Sequence, residues 1–184
     1  ELYKANTEKF AAVYPDKGRN SAEVMISAPA PKTFVYPGEA VETPVVYIPV
    51  FPGTNCDYDT ARAFRRAGPE VETTVFCNLS AEAIFRSIRE MKEHIRRAHF
   101  FVLAGGFAAG DEPDGSAKFI VNVLNNKDIR DEIHALTDRG GLILGICNGF
   151  QALVKSGLLP YGRLGMVTKE SPTLFRNDAN RHIS

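Results

Sequence analysis

The sequence predicts an α/β protein with a doubly wound, mostly parallel sheet flanked by helices. From Val45 onward, short apolar runs alternate with amphipathic segments of helical period. The connections between these segments are short, and no internal repeat or low-complexity tract competes with the pattern. Such alternation indicates parallel strands joined by right-handed helical crossovers, whose functional loops lie at the carboxyl ends of the strands.

Residues 1–44 differ from the rest of the chain and are predicted to form an N-terminal linker. They carry no sustained helical or alternating pattern. Spaced prolines are typical of an extended connector, and this segment contains Pro15, Pro29, Pro31, Pro37 and Pro44. The predicted domain therefore spans residues 45–184.

The first predicted strand, Val45–Phe51, is an apolar run suited to burial on both faces. Pro49 cannot donate a hydrogen bond to a sheet, which favours an edge position or a bulge. A helix over Asp57–Ala67 follows and ends at the stop signal Gly68-Pro69. The β-branched residues of Val71–Phe76 then predict a second strand.

The next helix has the clearest boundaries. Ser80 can cap its first turn, which also carries Glu82, and Arg96-Arg97 lie at its end, where cations complement the helix dipole. Its predicted packing face is one apolar stripe at helical spacing, formed by Ile84, Ile88, Met91 and Ile95.

Three loops follow the carboxyl ends of predicted strands and are the predicted functional loops: Pro52–Cys56, Gly105–Gly115 and Ile146–Gly149. The remaining elements lead to the last two. In chain order they are the strand Phe100–Leu103, the glycine-rich loop Gly105–Gly115, a helix marked by Ile129, Ile133 and Leu136, the strand Gly141–Gly145, and a helix from about Gly149 to Gly157.

Length and charge exclude several functional classes. The 184 residues allow one domain with some additional chain. Equal numbers of basic and acidic residues, 22 of each, give no electrostatic reason to expect nucleic acid or an anionic membrane as partner. No apolar run approaches the roughly 18 residues of a membrane span. Three cysteines without a paired spacing argue against a disulfide framework or a zinc knuckle and favour the cytoplasm.

The strongest chemical signal is the segment Gly145-Ile-Cys147-Asn-Gly149-Phe-Gln151. It is a strand-to-helix turn with a thiol at the position where the nucleophile elbow of α/β hydrolases has a serine. Glycines two residues to either side avoid a collision on this tight turn, and the helix N-terminus favours a thiolate. The alternative is that Cys147 is an inert buried cysteine.

A cysteine that attacks a carbonyl needs donors for the resulting oxyanion. The backbone N–H of Asn148, the residue after the nucleophile, is one candidate. A second donor is expected from the loop Gly105-Gly106-Phe107, where glycine lets the backbone approach a substrate closely. The alternative is that these glycines only turn the chain.

Other glycine-loop chemistries fit poorly. The loop lacks the Gly-Lys-Ser/Thr of a phosphate-binding loop, and the sequence has no GxGxxG opening a helix. The acidic cluster Asp111, Glu112 and Asp114 has no histidine or further carboxylate at ligand spacing, so no metal site is predicted and solvent-facing carboxylates are expected.

The general base is less clear from the residues. His94, His99 and His134 are expected to be solvated surface histidines. His182 follows the elbow and is formally eligible, with Asp178 as its orienting acid. Of the other two cysteines, Cys56 is expected to pack beside the site and Cys77 is expected to be structural.

Four stretches together resemble the glutaminase domains of the phosphoribosylformylglycinamidine synthases, a family of class I glutamine amidotransferases with a flavodoxin-like sheet. The stretches are PVFPGTNCDYDTARAF at 49–64, FVLAGGFAAGDEPDGSAKF at 101–119, GLILGICNGFQALVKSGLLP at 141–160 and TLFRNDANRHIS at 173–184. The GxCxGxQ motif alone would indicate only the wider class.

The resemblance implies that Cys147 attacks the side-chain amide of glutamine and forms a glutamyl thioester with release of ammonia. Gly105, Phe107 and Gln151 would bind the substrate, and the Gly106 and Asn148 amides would form the oxyanion hole. No cofactor is implied for this domain itself.

A separate synthetase domain is implied as the partner. With ATP and Mg²⁺ bound outside this chain, it would use the ammonia to amidate formylglycinamide ribonucleotide. In the large single-chain form of the enzyme the glutaminase is the C-terminal part, and residues 1–44 fit its connector and the tail of the preceding synthetase domain.

Two departures from the family pattern are visible. Ala108 replaces a usual serine. The resemblance places the family's catalytic His-x-Glu pair beyond the last matched stretch, which disfavours His182 as the general base. The chain is therefore expected to be a C-terminally truncated fragment. Alone, such a fragment is expected to be inactive or weakly active. Two alternatives remain open: a free-standing cysteine hydrolase using Cys147 with His182, and a non-catalytic interaction module.

Overall fold

A computed structural model describes residues 3–4, 41–109, 111 and 117–174. The chain divides into two compact units, residues 1–36 and 37–184. In the first unit the described residues are Tyr3 and Lys4, which are helical. Most of the predicted linker lies outside the described residues, so the assignment of residues 1–44 stays a prediction.

The second unit contains a parallel sheet with the strand order β2-β1-β3-β4. Its strands are β1 (Val45–Val50), β2 (Glu70–Val75), β3 (Phe100–Leu103) and β4 (Leu142–Gly145). All four strands were predicted, with bounds that differ by a residue at some ends. The α/β fold with a parallel sheet is therefore confirmed.

Helices connect the strands and continue beyond the last one. They are α1 (Asp57–Ala67), α2 (Ala81–Arg97), α3 (Lys118–Leu124), α4 (Lys127–Asp138), α5 (Asn148–Ser156) and the short turn α6 (Leu158–Tyr161). Within the described part of the chain, none of them is long and apolar enough to cross a membrane.

Capping residues explain why most of these helices could be predicted. Ser80 Oγ accepts a hydrogen bond of 3.1 Å from the Ala83 amide at the start of α2, and left-handed Gly68 ends α1. Helix α3 was missed because it has seven residues and no capping side chain; left-handed Ala117 precedes it. The sequence therefore holds no start signal for α3.

Helices cover both faces of the sheet, as a doubly wound fold requires. On one face Val46, Ile48 and Val102 pack with Ala61 of α1. The alternate strand residues belong to a second cluster with α2, α3, α4 and α5, and this larger cluster includes Tyr47, Phe101, Leu103, Met91, Ile95, Ile120, Ile133 and Leu153. Alternation of side chains along the strands separates the two clusters.

The prediction that Pro49 lies on an edge strand or in a bulge is wrong, because β1 lies between β2 and β3 and its register with β2 is unbroken at Pro49. Its pairing with β2 continues through Pro49, whereas its pairing with β3 is found only at Val46 and Tyr47. The Val45 carbonyl accepts a hydrogen bond from the amide preceding β3, so odd-numbered residues of β1 face β3. The backbone nitrogen of Pro49 thus faces β3, but β3 pairs with β1 only as far as Tyr47. The N–H that proline lacks would have no partner in the sheet, so no hydrogen bond is lost.

Loops at the carboxyl ends of β1, β3 and β4 meet at one edge of the sheet. The chain leaves β1 toward β2 on one side, and β3 and β4 lie on the other side. In doubly wound sheets, a crevice opens where the strand order reverses in this way. The predicted functional loops follow these three strands.

Candidate active site

Cys147 occupies the tight turn between β4 and α5. Its backbone has φ 51° and ψ −109°, and among the described residues only Ala117 shares a positive φ without being glycine. The side chain is exposed and stands at the N-terminal end of α5. An accessible thiol on a strained turn at a helix N-terminus has the geometry predicted for the elbow. Cys147 is not a buried packing cysteine.

The glycines on either side of Cys147 are required by close packing. A Cβ on Gly145 would stand 2.7 Å from the carbonyl atoms of Gly149. A Cβ on Gly149 would stand 2.1 Å from the carbonyl oxygen of Leu103 in β3. Both distances are far below van der Waals contact. The collision expected at these two offsets is therefore present.

The glycine loop after β3 is joined to the loop after β1 by backbone hydrogen bonds. The Phe107 amide donates to the Gly53 carbonyl at 2.9 Å, and the Asn55 amide donates to the Gly105 carbonyl at 3.3 Å. Gly53 has φ +95° and Gly106 has φ +140°, and a Cβ on either would meet the backbone of the other loop within 2.3 Å. Sequence reasoning missed this role of Gly53, although Pro52-Gly53 lies at the start of the loop between β1 and α1.

The elbow faces this joined pair of loops across Gly105. A Cβ on Gly105 would lie 3.4 Å from Cys147 Cβ and 3.6 Å from Cys56 Sγ. Cys56 is therefore beside the elbow, as predicted, but it is exposed, and its thiol donates to Asn55 Oδ1 at 3.1 Å. Cys77 is half-buried.

Both backbone amides expected to form the oxyanion hole have N–H groups without an acceptor in the described part of the chain. The Asn148 and Gly106 amides donate to no acceptor among the described residues. The first amide of a helix has no intrahelical acceptor, which accounts for Asn148. The Phe107 amide is used by Gly53, and the Phe107 side chain is 80% exposed. Any contact of Phe107 with a substrate must therefore come from its ring or carbonyl.

A buried amide connects the elbow helix to the glycine loop. Asn148 Nδ2 donates to Asp111 Oδ2 at 3.0 Å and to Gln151 Oε1 at 2.9 Å. Asp111 Oδ1 also accepts a hydrogen bond from the Ala117 amide. The sequence indicated Asp111 only as one acid of a solvent-facing cluster, and that interpretation is wrong for Asp111.

The other two acids of that cluster, Glu112 and Asp114, lie outside the described residues. Over the described ranges, no group of three or more histidine, cysteine or acidic residues could hold a metal ion.

The family model for the CobB/CobQ-like glutamine amidotransferase domain matches residues 43–184 of the sequence. The chain belongs to this family. The phosphoribosylformylglycinamidine synthase subunit PurQ of Dehalococcoides mccartyi is 41% identical over 132 residues, which cover 71% of this chain and 46% of that protein. The corresponding subunit of Pyrococcus furiosus is 37% identical over 111 residues, covering 60% of this chain and 41% of that protein.

A solved structure described as PurLQS from Thermotoga maritima is also similar. It is 30% identical, with a TM-score of 0.45, over 64% of this chain and 46% of that chain. The chain thus spans less than half the length of the relatives that it matches.

The histidines that the structure describes in this glutamine amidotransferase domain are bonded away from its elbow. His94 Nδ1 lies 2.6 Å from Glu72 Oε2, and His99 Nδ1 accepts a hydrogen bond of 3.0 Å from the Val45 amide. The expectation that they are solvated surface residues is wrong, since both rings are partly buried and bonded to residues far along the chain. His182 and Asp178 lie outside the described residues.

His134 is also bonded to a residue far along the chain, and its lowered pKa predicts a pH dependence of stability. Its Nε2 accepts a hydrogen bond of 3.0 Å from the Leu164 amide. Burial and, to a lesser extent, the charges of Arg163 and Arg130 lower the pKa of His134. Because the folded pKa lies below the unfolded value near 6.5, the contribution of His134 is complete above that pH and is lost as the pH falls.

We expect the free energy of unfolding in urea to decline below about pH 6.5 more steeply in the unmutated domain than in His134→Gln. Glutamine keeps an acceptor for the Leu164 amide but does not titrate. The Glu72–His94 pair is present in both proteins and cancels in the comparison. Parallel stability profiles between pH 7.5 and 5 would contradict this prediction.

Proposed function

We propose that this chain hydrolyses glutamine through a thioester on Cys147 and supplies the ammonia for amidation of formylglycinamide ribonucleotide in purine biosynthesis. The observation that carries the proposal is the exposed thiol on the strained turn before α5, facing the glycine loop. Membership in a glutamine amidotransferase family and the names of the PurQ relatives support the substrate and the pathway.

The proposed chemistry is acyl transfer to sulfur. The Cys147 thiolate attacks the side-chain amide carbon of glutamine, the C–N bond breaks, and nitrogen leaves as ammonia after gaining a proton. Water then hydrolyses the thioester to glutamate and restores the thiol. The free N–H groups of Asn148 and Gly106 are the donors we assign to the oxyanion of each tetrahedral intermediate.

Substrate contacts are proposed for the residues that surround the thiol. A Cβ on Gly105 would lie 3.4 Å from Cys147 Cβ, so the absence of a side chain at Gly105 leaves space beside the thiol that we assign to the substrate. The exposed Phe107 side chain and the half-buried Gln151 side chain flank the same edge of the sheet. We assign all three residues to glutamine binding.

The partner we propose is a synthetase that binds ATP and Mg²⁺ outside this chain and consumes the ammonia. The relatives in the comparison carry the name of a separate subunit, whereas the prolines of residues 1–44 motivate the finer proposal of a single-chain parent with a connector. A synthetase encoded before Glu1 in the same reading frame tests the finer proposal. The three free cysteines fit the cytoplasm that we propose as compartment.

Labelling with the glutamine analogue 6-diazo-5-oxo-L-norleucine tests the proposed function. We expect one adduct, on Cys147, that glutamine prevents in a saturable manner, because only this thiol combines the turn, the helix terminus and the free backbone donors. Peptide mapping by mass spectrometry locates the adduct.

The matched control is Cys56→Ser, which removes the exposed thiol beside the elbow and should leave the adduct unchanged; Cys147→Ser should abolish it. Equal modification of Cys56, Cys77 and Cys147, or modification of none, would be incompatible with the proposed function.

A further inference from the structure

We infer that Asp111 acts as a positioning residue: through the Asn148 amide it orients the Gln151 side chain so that an N–H group, and not a carbonyl oxygen, faces the substrate. The inference rests on the proposed function and adds a determinant of substrate orientation to it. It depends on two hydrogen bonds of one buried amide.

The first step is the chemistry of Asp111. An ionised carboxylate can only accept hydrogen bonds. Asp111 Oδ1 accepts from the Ala117 amide, and Oδ2 lies 3.0 Å from the Asn148 side chain. The atom of Asn148 that faces this oxygen must therefore be the nitrogen. Asp111 thus decides which of the two orientations the Asn148 amide takes.

In the second step, the orientation of the Asn148 side-chain amide fixes the orientation of the Gln151 side-chain amide. Asn148 is 3% exposed, so its side chain has no alternative partner in solvent. Its Nδ2 carries two hydrogens, and the second one points to Gln151 at 2.9 Å. A donor requires an acceptor, so the Gln151 atom at this contact is Oε1. The Gln151 Nε2 group is then turned away from Asn148 and stays available.

The third step is the position of Gln151. It lies one helical turn after the nucleophile, and its own amide donates to the Cys147 carbonyl at 3.0 Å. The side chain is half-buried at the N-terminal end of α5. An N–H donor at this place suits a carboxylate or carbonyl oxygen of glutamine, whereas an exposed Oε1 would repel it.

The experiment measures saturation kinetics of Cys147 labelling by 6-diazo-5-oxo-L-norleucine in three forms of the chain: unmutated, Asp111→Asn, and the double variant Asp111→Asn with Asn148→Asp. Iodoacetamide alkylation of Cys147 is run in parallel, because it reports thiolate reactivity without glutamine recognition. Urea midpoints report the stability of each form.

Asp111→Asn keeps an oxygen for the Ala117 amide but can place a second donor against Asn148 Nδ2. We expect the concentration of half-maximal labelling to rise by about tenfold, the usual scale for losing a hydrogen bond to a charged group. The iodoacetamide rate should change much less.

The double variant exchanges donor and acceptor between positions 111 and 148. The contact is restored with reversed polarity, so the urea midpoint should return toward that of the unmutated chain. Gln151 must then donate to the new carboxylate and present Oε1 to the substrate. We therefore expect the analogue concentration that gives half-maximal labelling to stay above that of the unmutated chain, after labelling rates are normalised to the iodoacetamide rate.

Two results would overturn the inference. The first is an analogue concentration for half-maximal labelling that is unchanged in Asp111→Asn. The second is a double variant in which both this concentration and the urea midpoint return to the values of the unmutated chain. Either result leaves saturable labelling of the unmutated chain in place, and with it the proposed function. If iodoacetamide modifies Cys147 in the unmutated chain but the analogue does not saturate, the proposed function fails and the inference falls with it.

Discussion

Replacing Gly53 with alanine is expected to lower the free energy of unfolding by about 3 kcal/mol and to slow labelling of Cys147 at least tenfold. Gly53 has φ +95°, and its Cβ would stand 1.9 Å from the Phe107 carbonyl oxygen. The loops after β1 and β3 must separate to admit the methyl group. Their separation displaces Gly105, whose Cβ position lies 3.4 Å from Cys147 Cβ, and the neighbouring Gly106.

Gly68→Ala is the matched control for this change. Gly68 also has a positive φ, +110°, but a Cβ there would meet nothing within 4 Å. This variant therefore measures left-handed strain alone, about 1–2 kcal/mol, at a helix end away from the elbow. Labelling of Cys147 should be unchanged in Gly68→Ala. Equal losses of stability and equal labelling rates in the two variants would show that the contact between the loops is unimportant.

Gly149→Ala is expected to destabilise the domain by about 1–3 kcal/mol, as overpacked positions do, and to reduce labelling of Cys147. At an ordinary helical position the same change stabilises by about 1 kcal/mol. Here the Cβ would lie 2.1 Å from the Leu103 carbonyl oxygen, and neither backbone can move without shifting the turn that carries the thiol. Urea unfolding and labelling rates measure the two effects.

Gly162→Ala serves as the control for Gly149→Ala, since nothing lies within 4 Å of its Cβ position. Its φ of +71° should cost about 1 kcal/mol, and labelling of Cys147 should not change. An increase in stability for Gly149→Ala would mean that β3 and α5 are packed less closely than the structure indicates.

The elbow could be predicted because its determinants are local. Gly145, Cys147 and Gly149 lie within five consecutive residues, and the apolar strand and the helix flank them directly. The same holds for α1 and α2, whose ends carry their own signals in Gly68 and Ser80. Local spacing, capping and apolar period are properties that a sequence displays without knowledge of its neighbours.

The errors in prediction concern contacts between distant segments. Pro49 was expected at an edge or a bulge, but its strand is central. Proline is tolerated there because β3 has stopped pairing with β1 before Pro49 is reached. The histidines were expected in solvent, yet His99 bonds the Val45 amide 54 residues away. The sequence predicts a solvent-facing acid at Asp111, yet this residue bonds Asn148 across 37 residues. None of these partners is marked by a residue pattern.

The sequence by itself determined the fold class, the position of Cys147 on the strand-to-helix turn and the need for glycine beside it. These features depend on periodicity and on steric constraints within a few residues. Only the tertiary structure decided how the loop at Gly53 joins the loop at Gly106, and how Asp111 reaches Asn148 and through it Gln151. Those features depend on which backbone and side-chain atoms meet when distant segments pack, and hydrogen-bond partners are chosen only at that stage.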